Sequence, residues 1–138
     1  MTTSSAPLAA LLVLAGCGSS FTATLTAAPA APVPDVFRCA RSQLEALGYR
    51  QSSIDVDEHR VTARRIDQSV QRPDVTFRRA IDQIEIEVTS SASGEASLTI
   101  QAKTLAEHVT RAGFVLELEP ASDGVKAAAQ SVLQVCGT

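Results

Sequence analysis

Three cysteines, two histidines and a run of arginines are the residues of this 138-residue chain whose chemistry reaches beyond packing. His59 sits in "DEHR" near Asp55, Asp57 and Glu58, the residue types of a metal or acid–base cluster. Polar residues of this kind also make a solvated turn, and a turn is the expectation here. His108 follows Glu107 in "LAEHVTRAG", where a surface imidazole is expected. Cys39 would need a nearby base and a lowered pKa to act as a nucleophile, and the sequence offers neither. The glycines are scattered, and no G-x-S-x-G, S-x-x-K or H-E-x-x-H occurs. The cysteines and histidines lack zinc-ligand spacing. No catalytic residue, metal or cofactor is therefore expected.

The arginines are the stronger signal. Arg60, Arg64, Arg65, Arg72, Arg78 and Arg79 crowd into one stretch and would suit anionic lipid headgroups or an acidic partner if the chain brings them together. Asp55, Asp57, Asp67 and Asp82 are placed to neutralise them across strands, which is the plainer expectation. A net charge of −3 and no Trp argue against a nucleic-acid partner, which calls for a basic surface and stacking rings.

The elements that must position these groups all lie after residue 34, because no Asp, Glu, Lys or Arg precedes Asp35. Val36, Phe37, Ala40, Leu44 and Leu47 recur at helical spacing, which predicts a helix over 36–47 capped by Asp35 and closed by Gly48. Residues 49–56 and 60–66 read as a hairpin, and 67–74 as a loop. "IEIEV" at 84–88 alternates strictly, Ile84, Ile86 and Val88 inward and Glu85 and Glu87 outward; with 97–105 it makes a second hairpin. Residues 114–118 are either a short fifth strand or a lead-in to a last helix capped by Ser122 or Asp123. The expectation is an α+β domain over 35–138: an antiparallel sheet of about four strands, or five, covered on one face by N- and C-terminal helices.

The uncharged head has its own logic. Residues 7–16 form an apolar run too short to span a bilayer, which takes roughly 20 residues. It ends in Leu14-Ala15-Gly16-Cys17, which resembles the lipobox of bacterial envelope lipoproteins, although no Lys or Arg precedes the apolar run. The resemblance implies a signal peptide over 1–16, a diacylglyceryl thioether on Cys17 and cleavage before it. Each buried acyl CH₂ contributes about 0.8 kcal/mol, and two or three chains anchor far better than one. Residues 18–34 are rich in Ala, Thr, Ser and Pro, so 17–34 is expected to be anchor and flexible tether.

With Cys17 taken by lipid, Cys39 and Cys136 remain, and export would put them where a disulfide persists. Four meandering strands would leave the helices antiparallel on one face, with Cys39 in the first turn of one and Cys136 in the last turn of the other, at the same edge. A fifth strand would reverse that parity. Two buried, unpaired thiols are the alternative. Helix, four-stranded sheet and helix on a lipidated tether is also similar, in element order alone, to the helix-grip modules of bacterial envelope lipoproteins such as the barrel-assembly accessory lipoprotein. The expected function is that of a non-enzymatic cell-envelope lipoprotein, held extracytoplasmically (on the outer membrane of a Gram-negative cell), whose domain binds a protein partner or a peptide along a sheet edge. The alternative is a lipid or small hydrophobic ligand held between helices and sheet.

Overall fold

The alternation at Ile84 belongs to a longer strand than it announces. The computed structural model describes residues 21–138 and contains β1 (Ala23–Ala27), α1 (Val33–Ala46), β2 (Arg50–Asp55), β3 (Arg60–Asp67), β4 (Phe77–Ser90), β5 (Ala96–Thr110), β6 (Gly113–Glu119) and α2 (Asp123–Cys136). The expected four- or five-stranded sheet under a helical cover is corrected. All six strands form one antiparallel sheet, with 47% of the described residues in strands and 24% in helices. The mismatch is one of length. A strand of 15 residues such as β5 extends for about 50 Å, whereas a helix of 14 residues such as α2 extends for about 21 Å, so the helices cover only part of the sheet. Charge hides the extra strand length in the sequence. Ahead of Ile84, "FRRAIDQ" breaks the apolar alternation, yet Arg79 is neutralised across the sheet by Glu107 at 2.9 Å.

The tether expected over 17–34 is corrected as well. Within it, Ala23 to Ala27 pair with Ala102 to Leu98 of β5, turning Ala23, Leu25 and Ala27 toward the core and Thr24 and Thr26 to solvent. The sheet order is β1-β5-β4-β3-β2, with β6 also on β5. Thus β1 and β6 share one edge of β5: β1 lies along Leu98–Ala102 and β6 along Thr104–Thr110.

The first helix starts earlier than Asp35. Pro32 is the N-cap, Val33 and Pro34 occupy the first turn, and Asp35 instead pairs with Arg38 at 3.2 Å. Prolines suit the first turn, where the backbone N–H has no helical acceptor. At the other end Leu47 caps and Gly48 takes φ +83°, a left-handed conformation that L side chains rarely adopt. Between the helices and the sheet, Val36, Leu44, Ile84, Ile86, Leu98, Ile100, Val125 and Val132 are fully buried and fill the layer.

Cys39 and Cys136 are joined, with Cα atoms 5.8 Å apart. Parity alone would have separated them, since five strands lie between the helices. They meet because β6 ends early: Glu119 stands opposite Thr104, midway along β5, and α2 continues in the direction of β6 over the remaining half of the sheet. Its C-terminus reaches β1, where Gly137 lies against Ala27. The start of α2 is pinned at mid-sheet by buried Asp82. Its Oδ1 accepts from the hydroxyls of Thr104 (2.8 Å) and Ser122 (2.9 Å), and Ser122 in turn accepts from the Val125 N–H at 3.1 Å as the helix cap.

Candidate functional site

Of the residues singled out by type, Arg64, Arg65 and Arg79 come together along one concavity, whereas Arg60 lines another. Cys17 lies outside the described residues. Among the arginines, Arg60 pairs with Glu87 at 3.2 Å and Arg79 with Glu107, while Arg64 donates to Gln83 Oε1 at 2.7 Å. Arg65 donates to the Leu47 carbonyl at 3.3 Å and lies over the Tyr49 ring at 4.9 Å. Arg78 is exposed, without a hydrogen-bond or ion-pair partner among the described residues. Arg64 and Arg65 point to opposite faces because successive strand residues do. Arg50, not part of the expected cluster, stands directly opposite Arg64 beside a concavity of about 580 Å³ that Ile66, Ile81 and Arg79 also line. Tyr49, beneath Arg65, is buried, and that burial pushes its phenol up to about 12.

Neither histidine assembles a reactive centre. His59 takes φ +50° in the β2–β3 turn and meets Phe37 edge-on at 5.4 Å. Among the described residues no group of three or more His, Cys, Asp or Glu could hold a metal ion. His108 belongs to a clasp. The segment 68–76 folds over the end of the sheet that the helices do not reach. There the Thr76 hydroxyl bonds His108 Nδ1 at 3.0 Å and Asp74 at 2.9 Å, and Arg72 grips Glu119 with both ends of its guanidinium while lying 4.7 Å from the Phe77 ring centroid. His108 Nε2 is 3.6 Å from Glu117.

The clasp has a pH signature. The Arg72 hydrogen bond holds the Glu119 carboxyl below its ordinary value of 4.5. A carboxyl whose native pKa is lowered contributes stability above its unfolded pKa and loses it as pH falls through the native pKa. Glu119→Gln is therefore expected to cost about 0.5–1 kcal/mol at neutral pH, because both partners are partly exposed, and nothing in strong acid. Urea midpoints of the two proteins should differ near neutrality and converge at about pH 2; a constant offset would refute the ion pair as the cause.

What the fold leaves bare is an edge. Val109 donates its N–H to the Thr76 carbonyl at 2.8 Å, on the β4 side of β5. Its neighbours His108 and Thr110 therefore turn toward β6, where they face Val115 and Gly113. By alternation, Phe114, Leu116 and Leu118 direct their N–H and C=O groups away from β5, along an edge with no neighbouring strand among the described residues. Their side chains are exposed too, Phe114 at 70% and Leu116 and Leu118 near 45%, as is Val115 on the opposite face. The other end of the sheet is different. β2 is polar, carries a register shift between Gln51 and Ser53, and so resists pairing.

The bare edge continues into the uncovered sheet face. Ile66 stands opposite Ile81, Ile81 opposite Leu105, and Leu105 opposite Leu118, an apolar row across four strands. Its centre, Ile81, is 4% exposed, while Ile66 and Leu118 at its ends are open.

Compared with protein-family models and with curated proteins, this chain matches none. The site is thus defined by geometry: an unpaired strand edge with apolar side chains on both faces, suited to accepting another strand. From the sequence, 114–118 is equally a strand or a lead-in. The signal that separates them is present in "FVLEL", since three consecutive apolar residues in a strand put apolar surface on both faces.

Proposed function

We propose that this chain is a non-enzymatic cell-envelope lipoprotein, anchored extracytoplasmically through lipid on Cys17, whose domain binds a protein partner or peptide as an added strand along β6. The bare edge of β6 carries this reading: its outward amides and carbonyls supply affinity, and its exposed Phe114, Val115, Leu116 and Leu118 supply contact area. The lipobox-like Leu14-Ala15-Gly16-Cys17 supports the anchor. Among the described residues no helix is long and apolar enough to cross a membrane. A hydrophobic ligand between helices and sheet gains no support, because that layer is filled by buried side chains.

Two measurements test it. Intact mass of membrane-extracted protein should show processing before Cys17 and added acyl mass; a chain still carrying residues 1–16 without lipid sinks the anchor. A photoreactive residue at Leu116 should give an adduct that maps to an extended segment, while one at Ser53 on β2 gives none. Equal adducts at both edges, or none at Leu116, would remove β6 as the binding edge.

A further inference from the structure

The sequence of β6 is complementary to itself. We propose that the strand added along β6 is β6 of a second copy, paired antiparallel about a two-fold axis at Leu116. This rests on the reading of β6 as a docking edge and names its occupant.

Only registers that set Phe114, Leu116 and Leu118 against their own counterparts bring outward N–H and C=O groups together, because these three residues direct theirs to the free edge. Three such two-fold registers overlap most of the strand. Centred on Glu117, two carboxylates stand directly opposite, a destabilising like-charge pair. Centred on Val115, Leu118 faces Ala112 in the hairpin turn and loses its apolar contact. Centred on Leu116, Phe114 faces Leu118 of the partner subunit, Leu116 faces the partner's Leu116, and Val115 faces the partner's Glu117. No carboxylate opposes another, and the apolar contacts are all on the uncovered face.

That register also extends the apolar row. Leu118, the last member of the row from Ile66, would adjoin the partner's Phe114, which itself stands opposite Val109 in β5. Two apolar rows, related by the axis, would then cross the joined sheet. The bare β6 edges would be consumed in a closed pair, leaving the polar, bulged β2 at each outer end and the short flank of β1 beside the joined strands. A bilayer surface would cover the same side chains but leave the amides and carbonyls of Phe114, Leu116 and Leu118 unpaired in apolar surroundings, which is costly. A second β6 pairs them.

Cysteine mapping on the full-length chain in native membranes decides it. Opposed Cα atoms in a hydrogen-bonded antiparallel pair are about 5.5 Å apart, within the range a disulfide spans. Leu116→Cys should therefore give, on mild oxidation, a 116–116 linked peptide seen by mass spectrometry. Val115→Cys and Glu117→Cys should each give at least about tenfold less alone and recover when co-expressed. Reading the linked peptide, rather than dimer on a gel, keeps the result independent of Cys17, and retention of the 39–136 peptide checks the fold. Equal linkage at 115, 116 and 117 would mean random collision and overturn the proposal. Linkage of position 116 to a different protein would overturn the self-pairing and leave the docking edge standing. A Leu116→Cys thiol fully open to reagent, yet without any adduct, would overturn both.

Discussion

Replacing Cys136 with Ser should remove a large share of this protein's stability, about 3–4 kcal/mol. The bridge to Cys39 closes a loop spanning 97 residues, and in the chain-entropy picture a loop of that size is worth up to about 4.7 kcal/mol, with measured losses of about 2–5. The domain is small, so a net stability of about 5–15 kcal/mol leaves little reserve. A fall in Tm of roughly 12–16 °C follows at about 4 °C per kcal/mol. Calorimetry should give the same loss for Cys39→Ser, for Cys136→Ser and for the wild type under reductant. The double variant should lose no more than either single one, because both remove one bond. A Cys136→Ser protein melting within about 2 °C of the wild type would show that the filled core and sheet suffice.

Asp82→Ala should cost about 3 kcal/mol, more than its single side chain suggests. Asp82 is 1% exposed, and one of its oxygens takes both the Thr104 and the Ser122 hydroxyls. Alanine would strand the buried Thr104 donor at about 1–3 kcal/mol, strand the half-buried Ser122 donor at less, and leave Ser122 less well oriented to cap α2. Thr104 also accepts the Ser122 N–H at 2.9 Å, so the damage falls on the junction where β6 hands over to α2. Asp82→Asn keeps an acceptor oxygen and should lose only about 1 kcal/mol. Urea unfolding of the three proteins gives the order. Equal midpoints for Ala and Asn would mean that the two hydrogen bonds contribute nothing net, since the other carboxylate oxygen has no hydrogen-bond partner among the described residues.

Both predictions concern long-range ties; the sequence reaches the Cys39–Cys136 pair, by way of a four-strand parity that the fold replaces, but not the Asp82 tie. In the sequence, Asp82 is one of several carboxylates placed to balance arginines; in the fold it faces the helix side and organises a helix start. The arginine cluster is divided between places: Arg64, Arg65 and Arg79 line one concavity and Arg60 another. Neighbours in a strand face opposite ways, so Arg64 reaches Gln83 on the open face while Arg65 reaches the Leu47 carbonyl. Arg50, from another strand, stands beside Arg64 instead. "ATLTA" reads as tether because four small residues around a single Leu25 carry a weak pattern, and its partners Leu98–Ala102 lie more than seventy residues downstream.

Local chemistry alone determined the two amphipathic helices, the Gly48 stop, a cap at Ser122 or Asp123 and the inward run of Ile84, Ile86 and Val88, because each depends on residues within a turn or two of one another. The tertiary structure decided the strand count, the double occupancy of one edge of β5, the route by which Cys39 meets Cys136 and the bare flank of β6. Those depend on where strands stop relative to distant partners. A strand advances more than twice as far per residue as a helix, so small differences in strand length decide what the helices cover and what stays open.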